Sequence, residues 1–259
     1  MVGFHILIGL LSWQFFKYVD YVLNIITPNS FDFDFEPVAV INFVILTTFI
    51  VLSLALFLRK RWALVTAGSV GLVFLIIMGF NYINLIGVAI TVPLFLYARN
   101  DSVEEINQRT KVNPRMIVRR GATAIVMSLF ILISFAAFQS PVAKGIAEAQ
   151  QLPSASKEFM RSVVDSFIGS QIPATGQEKE NIINEVTRQT FQQINGLLKP
   201  YFQYAPSLLA FGLFLVLWGL SWIFIQLSVL AGVLIFWILK KKNFLKVDIK
   251  DVKAEVVII

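Results

Sequence analysis

The 36 residues from Trp62 to Tyr97, WALVTAGSVGLVFLIIMGFNYINLIGVAITVPLFLY, contain no charged side chain. As one α-helix they would run about 54 Å, nearly twice the roughly 30 Å hydrocarbon thickness of a bilayer. The stretch therefore has to fold back on itself. Its only cluster of turn-permissive, polar residues near the middle is Gly79 with Asn81-Tyr82-Ile83-Asn84. That cluster predicts a hairpin of two spans, about 62–80 and 83–98. The flanks agree: Arg59-Lys60-Arg61 precedes the stretch, the segment Arg99 to Arg120 with six bases and three acids follows it, and a hairpin returns both to one side.

Fifteen of the 22 Lys and Arg residues lie in those two clusters and a third, Lys240 to Lys253, each against a long apolar segment. Loops rich in Lys and Arg stay on the cytoplasmic side, so all three clusters are assigned there. The rest of the composition fits a chain that lives in lipid. Of its 259 residues 57% are hydrophobic and 15% charged, against about 25% charged in soluble domains. The reading is an all-α polytopic membrane protein of about six transmembrane helices, set in the plasma membrane with both termini cytoplasmic.

The formal net charge of +6 does not imply a nucleic-acid partner, because the bases flank apolar segments and show no interleaving with aromatic residues. Anionic lipid headgroups account for them. Cysteine is absent, which excludes disulfides, thiolate catalysis and Cys-ligated metals. The first residues, Met1 to His5, lack the basic n-region of a signal peptide and are read as retained.

Counting apolar runs gives a membrane domain over 1–138, with further spans at about 2–26, 37–58 and 122–138. The acidic stretch Thr27 to Glu36 between the first two suits an external loop. The 67 residues from Gln139 to Ala205 carry six bases and six acids and are expected to be helical and extracytoplasmic. Parity decides their side, since the basic segments before and after them both belong inside. The apolar run Pro206 to Leu239 fits one long tilted helix or a hairpin; parity requires one crossing, about Phe214 to Leu239, with Pro206 to Leu213 in the interface. Residues 240–259 are read as a basic cytoplasmic tail, strand-like from Val247 to Lys250 or equally a disordered anchor.

Within 139–205, Phe159, Met160, Val163, Val164, Phe167 and Ile168 recur at four-residue spacing in two adjacent rows that Gly169 ends. This apolar stripe is the candidate interaction surface, to be covered by lipid, a second copy or another protein. Thr175-Gly-Gln-Glu178 predicts a capping box opening a second amphipathic helix, with Ile183, Val186, Phe191, Ile194 and Leu198 on one face.

No catalytic, metal or cofactor constellation is legible. His5 is the lone histidine, which excludes multi-His metal sites, and it reads as interfacial. Lys17 and Asp20, three apart on the first helix, read as a mutually neutralising pair. Asn81 and Asn84 suit a turn better than a polar cavity. Gln226, the one amide deep in the last span, is expected to bond across helices. Glu104-Glu105, Glu178/Glu180 and Asp32/Asp34/Glu36 read as solvated charge, the last run offering at most a weak hard-cation site without the spacing of an EF-hand. Asn100-Asp-Ser102 matches a glycosylation sequon by chance, since its loop is assigned inside. Ala67 with Gly71, and Gly212 with Gly219, allow close helix approach.

Three functions remain open. A membrane scaffold or assembly subunit is favoured, because the spans hold little charge while 157–198 offers apolar helical faces. A small-solute transporter or channel subunit would need a polar path built from Asn81, Asn84, Gln226 and the Lys17/Asp20 pair. A membrane-embedded enzyme is left with only Ser/Lys or carboxylate chemistry, which no spacing supports.

Overall fold

The structure, a computed structural model, describes residues 2–25, 37–57, 59–108, 113–168 and 176–242. Among the described residues it is all helical: α1 (Val2–Ile25), α2 (Pro37–Leu56), α3 (Lys60–Met78), α4 (Tyr82–Gln108), α5 (Pro114–Phe138), α6 (Pro141–Ala149), α7 (Ser154–Ile168), α8 (Gln177–Leu198), a 3-10 segment (Lys199–Tyr204) and α9 (Ala205–Lys241). Among the described residues six helical stretches, those of α1 to α5 and the one containing α9, are long and apolar enough to cross a membrane. The acids Asp32, Asp34 and Glu36, the residues Gly169 and Thr175, and the tail after Lys242 lie outside the described residues.

Internal contacts divide the chain into two compact units. The first comprises Met1–Lys17, Glu36–Leu132 and Val216–Ile259. Its α3 and α4 form the expected hairpin. The α3 helix ends because Gly79 takes φ +91°, a left-handed conformation that a side chain disfavours, while its N–H still bonds to Leu75 O. Asn84 then closes the turn: its Nδ2 donates to the carbonyls of Met78 and Gly79, each at 2.9 Å, and its backbone N–H donates to Asn81 Oδ1 at 2.9 Å. Two carbonyls and one N–H that the helix ends would leave unpaired are thereby satisfied inside the turn. The two helices approach closely at Gly71, where a Cβ would meet Val88 Cγ1 at 2.6 Å.

A relay of rings fills this unit. Phe74 of α3 meets Phe16 of α1 at 5.2 Å, the neighbouring Phe15 meets Phe43 of α2 at 5.4 Å, and Phe43 lies 5.3 Å from Phe130 of α5 and 4.9 Å from Phe224 of α9. Between helices in lipid, where apolar burial alone gives no advantage over hydrocarbon, such interlocking shapes supply the attraction. Small residues bring the backbones together elsewhere. A Cβ at Gly121 of α5 would stand 2.5 Å from Ser102 Oγ of α4, and one at Gly232 of α9 would stand 2.8 Å from Val118 of α5.

The segment read as a basic loop, Arg99 to Arg120, is mostly helix. The α4 helix runs on to Gln108, and α5 opens at Pro114, ahead of the expected Ala122. Asn113-Pro114 is the start signal, with Asn113 Oδ1 accepting from Met116 N at 3.4 Å and proline placed where its missing N–H costs nothing. Buried positions on α4 follow a regular line, Asn84, Thr91, Ala98 and Glu105, each seven residues on. The charged end of α4 therefore continues the packed face of its apolar part. Pro206 to Leu239 is one continuous helix and holds no hairpin.

The second unit comprises Tyr18–Phe35 and Ile133–Leu215, so it takes in the segment 139–205 together with the end of α1, the end of α5 and the start of α9. Ser140 caps α6, its hydroxyl accepting from Ala143 N at 3.3 Å. After α6 the chain is tied to α8, where Asn195 Oδ1 accepts from Leu152 N at 2.8 Å. The 3-10 segment packs on α6 and α8 and buries Phe202, while α7 packs on α8. Gly176 is the cap of α8, at φ +66°, so the helix opens one residue after the expected threonine.

Candidate interaction surface

The α7 stripe consists of two rows with different fates. Met160 is half-buried and Val164, one turn on, is 8% exposed; with Ile183 and Thr187 of α8 they form the seam of the helix pair. Thr187 satisfies its hydroxyl within the seam by donating to Ile183 O at 2.7 Å. The other row stays outside: Phe159 is 73% exposed and Phe167 74%, with half-buried Val163 between them. Ile168 closes the helix, its side chain lying outside the described residues. A pair of short helices has room to bury one row against its neighbour, and Phe159 and Phe167 of the second row stay exposed. Two exposed phenylalanines one turn either side of a valine make an apolar knob on an otherwise charged helix.

The flanks of the pair are polar. A groove of about 670 Å³ is lined by Glu158, Arg161, Asp165, Lys179 and Glu180, acids and bases interspersed. Further along α8, Arg188 forms a two-pronged pair with Glu185 at 2.6 and 3.0 Å, and Gln189 adds a bond at 2.8 Å. The guanidinium hydrogen bond holds the Glu185 carboxyl below its ordinary range, and the carboxylate in turn raises Arg188. These charges lie open to water and keep the grooves wet, which leaves the Phe159–Phe167 row as the apolar feature of α7 open to a partner.

The polar residues singled out in the spans are not gathered into one site. Asn81 and Asn84 meet at the α3–α4 turn. Lys17 is exposed on α1; three residues on, Asp20 is half-buried and its Oδ1 accepts from Asn24 Nδ2 at 2.9 Å. Gln226 is exposed on α9 and bonds to no described residue of its own chain. His5 stacks among Phe57 at 5.7 Å and Trp62 at 5.0 Å, beside the Arg59–Arg61 cluster.

One residue read as solvated charge is not. Glu104 is exposed, but Glu105 is 2% exposed and its Oε2 lies 3.1 Å from Nε of Arg120, which also reaches Asp101 Oδ1 at 3.6 Å. The pair joins α4 to α5 next to Ser102, whose hydroxyl donates to Ile117 O at 3.4 Å. The seven-residue line from Asn84 through Thr91 and Ala98 was the signal that could have revealed it, had α4 been carried past Arg99.

No protein-family model, no curated protein and no solved structure matches the chain.

Proposed function

We propose that the chain is a plasma-membrane scaffold or assembly subunit that spans the bilayer about six times, keeps both termini in the cytoplasm, and presents α7 outside the cell to a partner helix. The observation that carries this reading is the row of exposed Phe159 and Phe167, with half-buried Val163 between them, on a helix whose other row holds buried Val164. An apolar row left in water is disfavoured by about 25 cal/mol for each Å². The basic clusters at Arg59–Arg61 and Lys240–Lys242 support the orientation and give the chain its contact with anionic headgroups. So does the make-up of the second unit. The end of α1, the end of α5 and the start of α9, which this topology brings to the outer side, all belong to the same compact unit as α6, α7 and α8.

A small-solute transporter or channel subunit needs a polar path instead. Here Thr48, Thr66 and Thr91 return their hydroxyls to carbonyls of their own helices, at 2.7, 2.9 and 2.8 Å, which uses up groups that would line one.

The test is Val163→Asp in the full chain. A charge in the centre of a dry contact is strongly disfavoured, so assembly size in mild detergent should fall while the α7–α8 seam, made by Met160 and Val164, remains and the spans still insert. Unchanged assembly size together with unchanged protease resistance of 139–205 would remove the main support for the scaffold.

A further inference from the structure

One face of α9 packs against α2 and α5. Ser228, Val229 and Gly232 are buried, Thr48 donates to Ser228 O at 3.3 Å, and Phe224 closes the ring relay. The opposite face, centred on Ile223 and Leu230, meets nothing described, and Gln226 stands on it with an exposed carboxamide. Gln226 precedes Lys240 by fourteen residues, about 21 Å along the helix. With Lys240 to Lys242 held at the headgroups, that depth lies well inside a hydrocarbon core of about 30 Å. Hydrocarbon offers the amide no hydrogen bond, and its short stem cannot reach either surface.

We propose that α9 pairs with α9 of a second copy of this chain along Gly219, Gln226 and Val233, the two Gln226 carboxamides hydrogen-bonding across a twofold axis normal to the membrane. Two copies of one chain insert in the same orientation, so their α9 helices pair in parallel and each residue faces its own counterpart at the same depth. A foreign helix would need a polar group placed by chance at that level, whereas a second copy carries one there by symmetry. A carboxamide both donates and accepts, so two of them satisfy each other. The row repeats every seven residues, the period of a left-handed crossing. Gly219 has open space where a Cβ would lie, which leaves room for the approaching backbone one heptad from Gln226. The surface uses no residue of α7 and stands or falls independently of the scaffold reading.

The absence of cysteine makes the test clean. Gly219→Cys, Val233→Cys, Leu227→Cys and Leu234→Cys are made singly in the full chain, and membranes are treated with a lipid-permeant oxidant. Disulfide-linked species of twice the chain mass are expected from the first two; the last two, about 100° round the helix, should give few. In the Val233→Cys background, Gln226→Leu should lower the linked fraction about threefold to tenfold, and Gln226→Asn should retain most of it. Because Gln226 bonds to nothing described in its own chain, Gln226→Leu leaves monomer stability unchanged, so a loss of linking reports on pairing. Equal linking at all four positions, linking to a protein of another mass, no linking, or an unchanged fraction with Gln226→Leu each overturns the proposal.

Discussion

Arg120→Met removes the guanidinium that pairs with the buried Glu105 carboxylate. Glu105 is 2% exposed and Arg120 35%. Removing one partner of a fully buried ion pair costs about 3–5 kcal/mol, and a lost hydrogen bond to a charged group about 1.5–3 kcal/mol. Since a third of Arg120 is open to water, the lower range applies, and the expected loss is about 2 kcal/mol. Methionine keeps the apolar stem, so little of the loss comes from packing. Adding Glu105→Gln removes the buried charge and should recover at least half of it. Asp101→Asn breaks only the longer, more exposed contact at 3.6 Å and should cost less than about 1 kcal/mol. The assay is the folded fraction in mild detergent titrated with sodium dodecyl sulfate, where 2 kcal/mol shifts the folded-to-unfolded ratio about thirtyfold. If Arg120→Met falls within about 0.5 kcal/mol of Asp101→Asn, the Glu105–Arg120 pair does not hold α4 to α5 in spite of its burial.

Gly71→Ala should destabilise the same titration by about 1–3 kcal/mol, because the new Cβ would lie 2.6 Å from Val88 Cγ1, and adding Val88→Ala should relieve most of it. Asn84→Ala removes the two bonds to Met78 and Gly79 carbonyls at a fully buried position and should cost about 1–3 kcal/mol, measured the same way, with faster protease cleavage at the turn as a second readout. Single cysteines at Ser154, Asn100 and Ala254 test the orientation: in intact cells an impermeant thiol reagent should label only Ser154→Cys, and labelling of Ala254→Cys would reverse the last crossing.

The hairpin was legible because an uncharged run too long for one helix contained a single polar interruption, and Asn81 and Asn84 proved to be the turn. The single helix from Pro206 to Leu239 followed from counting crossings between basic clusters. Charge misled at Arg99 to Arg120: it marks where lipid ends, which is not where a helix ends, and Glu105 was therefore missed. The α7 stripe was legible as a whole, but its division into a buried and an exposed row depends on how α8 approaches, which periodicity in one helix does not encode. For Gln226 the residue type signalled a bond across helices, while its direction was set by Ser228, Val229 and Gly232 turning the opposite side of α9 inward.

The apolar part of the α3–α4 hairpin, Trp62 to Tyr97, is electrically silent. Placed across a bilayer, a potential acts on formal charge with about 2.3 kcal/mol per elementary charge per 100 mV. Trp62 to Tyr97 carries no formal charge, and the dipoles of two antiparallel helices oppose one another. Membrane voltage therefore does no net work on this run of residues itself, whether it enters the bilayer or shifts along its normal. Any response of the chain to voltage has to come through groups outside Trp62–Tyr97, such as Lys17, Asp20, Arg59 and the Glu105–Arg120 pair.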